Sequence, residues 1–227
     1  MSITVTWLGH AAFSLDIDGT AVLIDPFLSD NPVARVSPDE VEADFILVSH
    51  GHGDHVGDTV AIAKRTGACT ISNAEINRWL TEQGLENLHA QHIGGGYHHP
   101  FGHVKLTIAH HGSGLPDGSV GGNPCGFLIT AGDKKLYFAG DTGLFSDMRL
   151  YGEEGIDFAA LPIGDNFTMG PDDSLRAIRF LEPKVVMPVH YNTFPVIEQD
   201  AEAWARRVEK ETTAQPVVLR PGESTTL

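Results

Sequence analysis

The chain has 227 residues and a formal net charge of −15, from 15 basic and 30 acidic side chains. This length suits one domain with a sizeable core, and a hydrophobic fraction of 41% is ordinary for a globular protein. No cluster of lysine and arginine offers the positive field that nucleic-acid binding requires. Two cysteines are too few for a disulfide framework. No apolar run approaches the length of about 18 residues that a membrane span needs.

The first part of the chain predicts short strands joined by tight turns, with helices between the later ones. The expected strands span residues 3–7, 13–17, 20–24, 44–48 and 69–72. The pair Asp18-Gly19 predicts a hairpin, because this dipeptide adopts the turn that joins adjacent antiparallel strands. The expected helices span residues 59–66 and 74–83. The glycine-rich stretch 94–100 is expected to be a loop.

The second part repeats this alternation. The expected strands span residues 104–109, 127–131, 135–139, 158–162, 185–189 and 217–220. The expected helices span residues 171–181 and 201–211. Strand pairs followed by alternating helices predict two similar β-rich halves, each a sheet covered by helices. We therefore expect a single domain over residues 1–227.

Residues 50–55 read His-Gly-His-Gly-Asp-His and directly follow the apolar run 44–48. Three histidines and an aspartate are costly to bury without partners, and their nitrogen and oxygen atoms are ligands for zinc and similar cations. A histidine-rich surface loop is the alternative, but the spacing and the position favour a metal enzyme. Four such side chains reach two adjacent ions more comfortably than one ion.

Three later apolar runs also end in residues that can bind metal. They lead into His110-His111, Asp141 and His190. In α/β proteins, functional groups gather at strand ends. Asp141 alone could cap a turn, and a lone histidine could be a satisfied core or surface residue. A two-metal site, however, needs a bridging carboxylate and further histidines, which these positions supply.

Short motifs recur at these strand ends in a fixed order. They are WLGH at 7–10, IDP at 24–26, HGHGDH at 50–55, AHHGS at 109–113, AGDT at 139–142 and PVHY at 188–191. The set resembles that of the metallo-β-lactamase-fold hydrolases, and within them the small metal-dependent hydrolases related to L-ascorbate-6-phosphate lactonase. The resemblance implies an α/β protein with a four-layer αββα sandwich of the metallo-β-lactamase type and a site at one edge.

The resemblance also implies two divalent metal ions and their ligands. The expected ligands are His50, His52 and His111 for the first ion, Asp54, His55 and His190 for the second, and Asp141 bridging both. His111 is preferred over His110 because the family has a histidine followed by two small residues. The role of His110 stays open between a hydrogen bond to a ligand and proton transfer. Zinc is expected first, with manganese, nickel or iron as alternatives, since selection depends on geometry and supply.

Two further residues match family motifs near the metals. His10 could orient the nucleophilic water or donate a hydrogen bond to substrate, or it could only satisfy a turn. Asp25 could hold a metal-bound histidine through the free nitrogen of its ring, or it could cap a loop.

Substrate contacts are expected from the loop before the helix at 171–181. Asn166 and Thr168 are candidates there, although this segment could simply lead into the helix. Tyr191 could stabilise an oxyanion or pack against its neighbours. The roles of three more histidines are open between solvation, support of the site and a place in the cleft: His98, His99 and His103.

The expected activity is hydrolysis of an ester-like bond in a small molecule, namely a lactone, ester, amide or phosphodiester, by a hydroxide that bridges the metals. The expected catalytic groups are Asp54, His10 and Asp141. The alternative is a non-catalytic metal-binding sensor or scaffold, which the loss of ligands would indicate, and none is lost. The N-terminus lacks the features of a signal peptide, so we expect a cytoplasmic protein without nucleic-acid or membrane partners. A homo-oligomer is left open.

Overall fold

Two seven-stranded β-sheets form the centre of the computed structural model, which describes residues 2–227. The first sheet contains, in spatial order, β14 (Ser224–Thr226), β1 (Ile3–Gly9), β2 (Ala12–Ile17), β3 (Thr20–Ile24), β4 (Phe45–Leu47), β5 (Cys69–Asn73) and β6 (Leu88–Gln91). The second contains β13 (Gln215–Pro216), β12 (Val185–Val189), β11 (Phe158–Pro162), β10 (Lys134–Phe138), β9 (Cys125–Ala131), β8 (Gly102–Ile108) and β7 (Gly96–His99).

The two sheets share one plan. Strands β1 to β3 are antiparallel neighbours, whereas β3 to β6 run parallel. Likewise, β7 to β10 are antiparallel and β10 to β13 are parallel. Because parallel strands end at the same edge of a sheet, the loops that follow β3, β4, β10 and β12 can bring their side chains together.

Helices cover the outer faces of both sheets. They are α1 (Gly53–Val56), α2 (Thr59–Thr66), α3 (Ala74–Glu82), α4 (Met148–Gly152), α5 (Pro171–Leu181) and α6 (Ala201–Glu211), with a 3-10 turn at Pro195–Ile197. Ile62 of α2 and Leu80 of α3 share a hydrophobic cluster with Ile46 of β4. Ile178 of α5 and Trp204 of α6 belong to the larger cluster that fills the space around the second sheet.

The inner faces of the sheets pack against each other through alternating apolar residues. On β2, Phe13 and Leu15 belong to the larger cluster, whereas Ala12 belongs to the cluster under α2 and α3. The rings of Phe13 and Phe138 meet edge to face with their centroids 5.0 Å apart, which joins β2 to β10. The predicted αββα sandwich is confirmed.

Two local predictions were wrong. The expected loop at 94–100 contains β7, an exposed strand that pairs with β8 so that His98 lies opposite His103. The segment expected as a strand at 217–220 is not one, since its last hydrogen bond to β12 runs from the amide of Val217 to the Val186 carbonyl oxygen at 2.9 Å. Its apolar side chains are half-buried against the core without continuing the ladder. Tertiary pairing overrode the local pattern in both places.

Among residues 2–227, no helix has both the length and the apolar character needed to cross a membrane.

Candidate metal centre

The predicted ligands lie at one edge of the sandwich together with the predicted supporting residues His10 and Asp25, and each segment that carries them follows the end of a strand. The first sheet contributes His10 after β1, Asp25 after β3 and residues 50–55 after β4; the second contributes His111 after β8, Asp141 after β10 and His190 after β12. The centre is therefore built by both halves of the fold.

Tight backbone turns bring several of these side chains into position. His10, Asp25 and His190 have φ values of 56°, 45° and 54°. This left-handed region costs a residue with a side chain about 1–2 kcal/mol, and such strain is concentrated at functional sites. Gly140 has φ 62°, and a Cβ there would lie 2.7 Å from the Cys125 carbonyl oxygen, so only glycine fits before Asp141. The sequence gives no direct sign of the three strained residues.

The histidine motif folds as an extended segment followed by the single turn α1. His52 caps α1, and the turn carries Asp54 and His55. Gly57 ends it with φ 43°, and a Cβ at this position would lie 2.5 Å from the Pro26 carbonyl oxygen. The absence of a side chain at residue 57 lets the loop after β3 pack closely against the motif.

Side-chain nitrogen and oxygen atoms form three overlapping groups within which all ligand atoms lie within 4.8 Å of one another. The groups are His50, His52 and His111; His10, Asp54, His55 and His190; and His50, His55 and Asp141. The third group links the first two. The two sets expected for the two ions are thus adjacent in space, and His10 joins the second set.

One oxygen of Asp141 faces both sets. Its Oδ2 atom lies 2.9 Å from Nε2 of His190, 3.3 Å from Nε2 of His55 and 3.6 Å from Nε2 of His111. Its Oδ1 atom is buried and has no hydrogen-bond partner. A carboxylate in this position can contribute an oxygen to each of two neighbouring cations.

The polar atoms at the centre fit divalent metal ions. Nε2 of His55 and Nδ1 of His190 are buried without a hydrogen-bond partner, like Asp141 Oδ1. Nε2 of His50 lies only 3.0 Å from Nδ1 of His52. Unpaired buried polar atoms are costly, and a cation would satisfy Nε2 of His55 and Oδ1 of Asp141, whereas Nδ1 of His190 lies on the Gly164 side of its ring.

Asp25 and Ser49 orient two of the candidate ligands. Asp25 Oδ2 lies 2.8 Å from Nδ1 of His55 and 2.6 Å from Oγ of Ser49, and Ser49 Oγ lies 3.0 Å from Nδ1 of His50. Since a carboxylate only accepts, Ser49 donates to Asp25 and must accept from His50. Nδ1 of both rings then carries the proton, which leaves Nε2 free to bind metal. The sequence reasoning missed Ser49, whose one signal is its place directly before His50.

His10 is fully buried between Asp54 and Thr193. Its Nε2 atom lies 3.2 Å from Asp54 Oδ2 and its Nδ1 atom 2.9 Å from Thr193 Oγ1. Burial lowers the pKa of His10 to about 4 although the bond to Asp54 opposes this change. The neutral ring therefore donates from Nε2 to Asp54 and accepts at Nδ1 from Thr193, and both nitrogens are occupied. Thr193 was also missed by the sequence reasoning.

At the centre, neighbouring charges shift the pKa values of Asp141 and His55 in the direction opposite to the effect of burial. Burial alone would raise the pKa of Asp141, but His55 and His190 hold it well below its usual range. Burial alone would lower the pKa of His55, but the carboxylates of Asp141 and Asp25 raise it well above its usual range. A divalent cation would take the place of the proton that these carboxylates attract.

The remaining site candidates lie around the centre or away from it. His110 is exposed, its ring centroid is 5.1 Å from that of Phe145, and it belongs to none of the three groups. Tyr191 is buried and stacks on Trp7 at a centroid distance of 5.5 Å. Burial and the charge of Glu202 raise the pKa of Tyr191 to about 12.

Asn166 and Thr168 lie in the loop between β11 and α5, but the structure gives neither a hydrogen bond to a candidate ligand. Asn166 is exposed, and the Thr168 hydroxyl donates to the Met169 carbonyl oxygen at 3.2 Å. The last three histidines lie on β7 and β8. The His99 ring is 5.8 Å from that of Phe45, the first residue of β4, so it lies at the end of this strand opposite His50. His98 and His103 pair across the strands beside it.

Known proteins share both the sequence and the fold. A model described as "Beta-lactamase superfamily domain" matches residues 20–191. The chain is 52% identical over 231 residues to a UPF0173 metal-dependent hydrolase of Heliobacterium modesticaldum, covering 98% of this chain and 97% of that one. It is 48% identical over 221 residues to a relative of the same description from Thermus thermophilus, covering 97% of each.

A solved structure agrees with these relatives. Igni18, a metallo hydrolase from the hyperthermophilic archaeon Ignicoccus hospitalis, superposes with a TM-score of 0.91 at 36% identity and covers 100% of this chain and 99% of that one. With its sandwich fold and its cluster of histidine and aspartate side chains, the chain belongs to the β-lactamase superfamily, and within it to the UPF0173 metal-dependent hydrolases.

Proposed function

We propose that this metal-dependent hydrolase uses two divalent cations to cleave an ester-like bond in a small molecule. The bond is that of a lactone, ester, amide or phosphodiester. Zinc is the first choice for a histidine-rich site, and manganese, nickel or iron are the alternatives. Two adjacent cations lower the pKa of a shared water and supply hydroxide near neutral pH.

The position of Asp141 is the observation that carries this proposal. A single carboxylate oxygen faces imidazole nitrogens from both candidate sets, and the other oxygen has no partner. A site for one ion at either set would leave the other group of closely spaced ligand atoms without a cation. In the proposed arrangement, His50, His52 and His111 would hold one ion, Asp54, His55 and His190 the other, and Asp141 would contact both.

His10 has a positioning role in this proposal. Because both of its nitrogens are occupied by Asp54 and Thr193, it has no free atom with which to carry a proton to or from substrate. It fixes the orientation of the Asp54 carboxylate and leaves the other carboxylate oxygen for the metal. Asp25 and Ser49 act in the same way on His55 and His50.

The proposed functional unit is the whole chain, residues 1–227, as one hydrolase domain acting on a small molecule. The origin of the ligands supports this, since the first sheet supplies residues 50–55 and the second supplies His111, Asp141 and His190. Neither half contains a complete set. The complete set also speaks against a sensor or scaffold that has lost turnover.

Elemental analysis and an activity screen test the proposal together. Protein purified without chelator is expected to contain about two divalent ions per chain. It is then screened with Zn²⁺, Mn²⁺, Ni²⁺ or Fe²⁺ against lactones, p-nitrophenyl esters, amides and bis-p-nitrophenyl phosphate. Hydrolysis that requires metal supports the proposal. A metal content near zero, with activity unaffected by His50→Ala and His52→Ala, would contradict it.

A further inference from the structure

Exposed apolar side chains are concentrated on the loops around the metal centre. In the part of the chain from residue 2 onward, five large apolar side chains are more than half exposed: Tyr97, Val120, Leu150, Phe167 and Val196. Three of them lie on separate loops that each contact a candidate ligand or its partner. Val120 is 78% exposed, Phe167 55% and Val196 60%. Scattered exposed apolar residues are ordinary, but three around one centre call for an explanation.

The loop that carries Val120 is attached to the histidine motif. The amide of Gly51 donates to the Ser113 hydroxyl at 3.0 Å, and the amide of Gly121 donates to the Ser113 carbonyl oxygen at 2.7 Å. A Cβ on Gly112 would lie 3.4 Å from the His52 ring. Val120 is therefore held beside the first set of candidate ligands.

The loop that carries Phe167 is attached at both of its ends. A Cβ on Gly164 would lie 3.3 Å from Nδ1 of His190. At the other end, the amide of Met169 donates to the carbonyl oxygen of Thr142, the residue after Asp141, at 2.9 Å. Phe167 thus projects from the middle of a loop whose ends lie against the second set and the bridging carboxylate.

The turn that carries Val196 is attached to His10. The amide of Asn192 donates to the Ile197 carbonyl oxygen at 3.0 Å, which closes the turn. Within it, the hydroxyl of Thr193 binds Nδ1 of His10, and the Phe194 ring centroid lies 5.5 Å from that of His10. Val196 is consequently held on the same side as the second set.

Lysine and arginine are missing from the segments that carry the candidate ligands and the three exposed apolar residues. No lysine or arginine occurs in residues 1–34, 36–63, 110–133, 136–148, 150–175 or 185–205, which include every candidate ligand and all three loops. Of the nearby basic residues, Arg149 stacks on the Phe180 ring at 4.4 Å, and Arg220 lines a separate cavity with Trp7 and Tyr191. The net charge of −15 gives the chain no general attraction for anions away from the proposed cations.

We propose that the site selects an uncharged ester or lactone with an apolar acyl chain, which contacts Phe167 and Val196 beside the second set of candidate ligands. This inference rests on the proposed function. In the reaction, water adds its oxygen to the acyl carbon, the bond from that carbon to the alkoxy oxygen breaks, and the alkoxy oxygen takes a proton. The products are a carboxylate and an alcohol, joined in one molecule when the substrate is a lactone, and the second proton of the water is released to solvent. A carboxylate or phosphate at the end of the acyl chain would meet no lysine or arginine on the loops that carry Phe167 and Val196.

The first test compares matched substrates. The value of kcat/KM is measured for p-nitrophenyl acetate, butyrate, pentanoate and hexanoate, and for mono-p-nitrophenyl glutarate, which replaces the terminal methyl of the pentanoate by a carboxylate. Each added methylene is expected to raise kcat/KM about threefold, because its burial is favourable. The glutarate is expected to be at least about tenfold poorer than the pentanoate, because its charge must lose water without a partner.

The variants Phe167→Ser and Val196→Ser are expected to reduce the gain in kcat/KM per added methylene. Phe167→Leu should restore the gain in part. Leu150→Ser is the matched control, because Leu150 is equally exposed but lies on α4, which packs against α5. Three results would overturn the inference: a kcat/KM that does not rise with the length of the acyl chain, a higher kcat/KM for the glutarate than for the pentanoate, or an equal effect of Leu150→Ser.

Binding without turnover separates this inference from the proposed function. Saturation-transfer NMR on the metal-loaded protein compares 2-heptanone, which has no bond to hydrolyse, with 6-oxoheptanoate, its carboxylated counterpart. The protein is expected to bind 2-heptanone but not 6-oxoheptanoate, even if no ester is cleaved. Binding of 2-heptanone should be weaker in Phe167→Ser. Loss of turnover with retained ketone binding would count against the proposed function only. Failure to bind the ketone, or a change of molar mass by light scattering in the serine variants that indicates contact between copies, would overturn the inference.

Discussion

The twelve histidines divide between two parts of the molecule that use them differently. Seven lie at or next to the metal centre, namely His10, His50, His52, His55, His110, His111 and His190; five lie along the edge formed by β6, β7 and β8, namely His89, His92, His98, His99 and His103. We refer to the second set as the edge histidines. Both sets contain closely spaced rings, so density of histidine alone does not separate them.

Burial and carboxylates separate the two sets. At the centre, His10, His50, His55 and His190 are buried, and aspartate oxygens lie beside their rings. None of the edge histidines is buried, and their rings contact one another, as His98 and His103 do at 4.6 Å. Among residues 2–227, no group of three ligand atoms within 4.8 Å includes an edge histidine. Converging strand ends and buried charge, rather than histidine content, distinguish the candidate metal centre from the edge histidines.

The largest expected effect comes from Asp141→Asn. The change keeps the shape of the side chain but removes the negative charge that faces the two sets of candidate metal ligands. The value of kcat/KM for an ester should therefore fall about 1,000-fold or more. Circular dichroism should show an unchanged fold. Retained activity would remove the bridging assignment. His98→Ala, in the edge set, is the control and should keep wild-type activity.

Metal content should distinguish the two sets next. His50→Ala removes a member of the first ligand set, so elemental analysis should find about one ion per chain in place of about two. His98→Ala and His103→Ala should leave the metal content unchanged. An equal loss of metal in the His50→Ala variant and in the two edge variants would mean that the edge histidines also bind metal. The distinction between the centre and the edge would then be wrong.

Ser49→Ala should have an intermediate effect. Without its hydroxyl, Nδ1 of His50 loses its acceptor and Asp25 loses one donor. Loss of such supporting hydrogen bonds typically costs 10–100-fold in metal affinity or activity. Metal affinity is measured by competition with a chromophoric chelator. Ser72→Ala is the matched control, since Ser72 is also fully buried but donates to the Val48 carbonyl oxygen. An equal loss of affinity in both variants would indicate a merely structural role.

The smallest expected effect concerns the edge set and pH. Burial and the nearby His89 and His103 lower the pKa of His99 from 6.5 to about 4. Between pH 6.5 and 4 the folded state therefore binds fewer protons at His99 than the unfolded state does. The contribution of the neutral His99 side chain to the free energy of unfolding is present above pH 6.5 and is lost as the pH falls toward 4. His99→Gln should flatten the fall of Tm over this range by about 2–4 °C. His98→Gln, at an exposed position, should leave the fall of Tm unchanged. A slope of Tm against pH in His99→Gln equal to that of the wild type would contradict the role assigned to His99.

Much of the centre could be predicted because its residues follow recognisable strands. The apolar runs before His50, Asp141 and His190 place these residues at strand ends, and parallel pairing brings such ends together. The hydrogen bonds of Ser49 and Thr193 could not be predicted, because serine and threonine are common and their partners depend on three-dimensional packing. Neither could the left-handed backbone of His10, since such strain is imposed by the surrounding structure.

The errors in the fold have a similar origin. The segment 96–99 contains glycine and histidine and is exposed, so nothing in its pattern predicts a strand; pairing with β8 determines its structure. The segment 217–220 is apolar, but its side chains are half-buried without a partner strand along their length. Burial is thus visible in the sequence more readily than strand pairing is.

The most direct test of the account is anomalous diffraction from crystals grown with Mn²⁺ or Zn²⁺. Two cations at the strand ends predict two anomalous peaks about 3.5–4 Å apart, on either side of the Asp141 carboxylate and next to the two histidine sets. Wild-type crystals should show no peak at the edge histidines. A single peak at the centre, or peaks beside His98 and His103 with none at Asp141, would contradict the account.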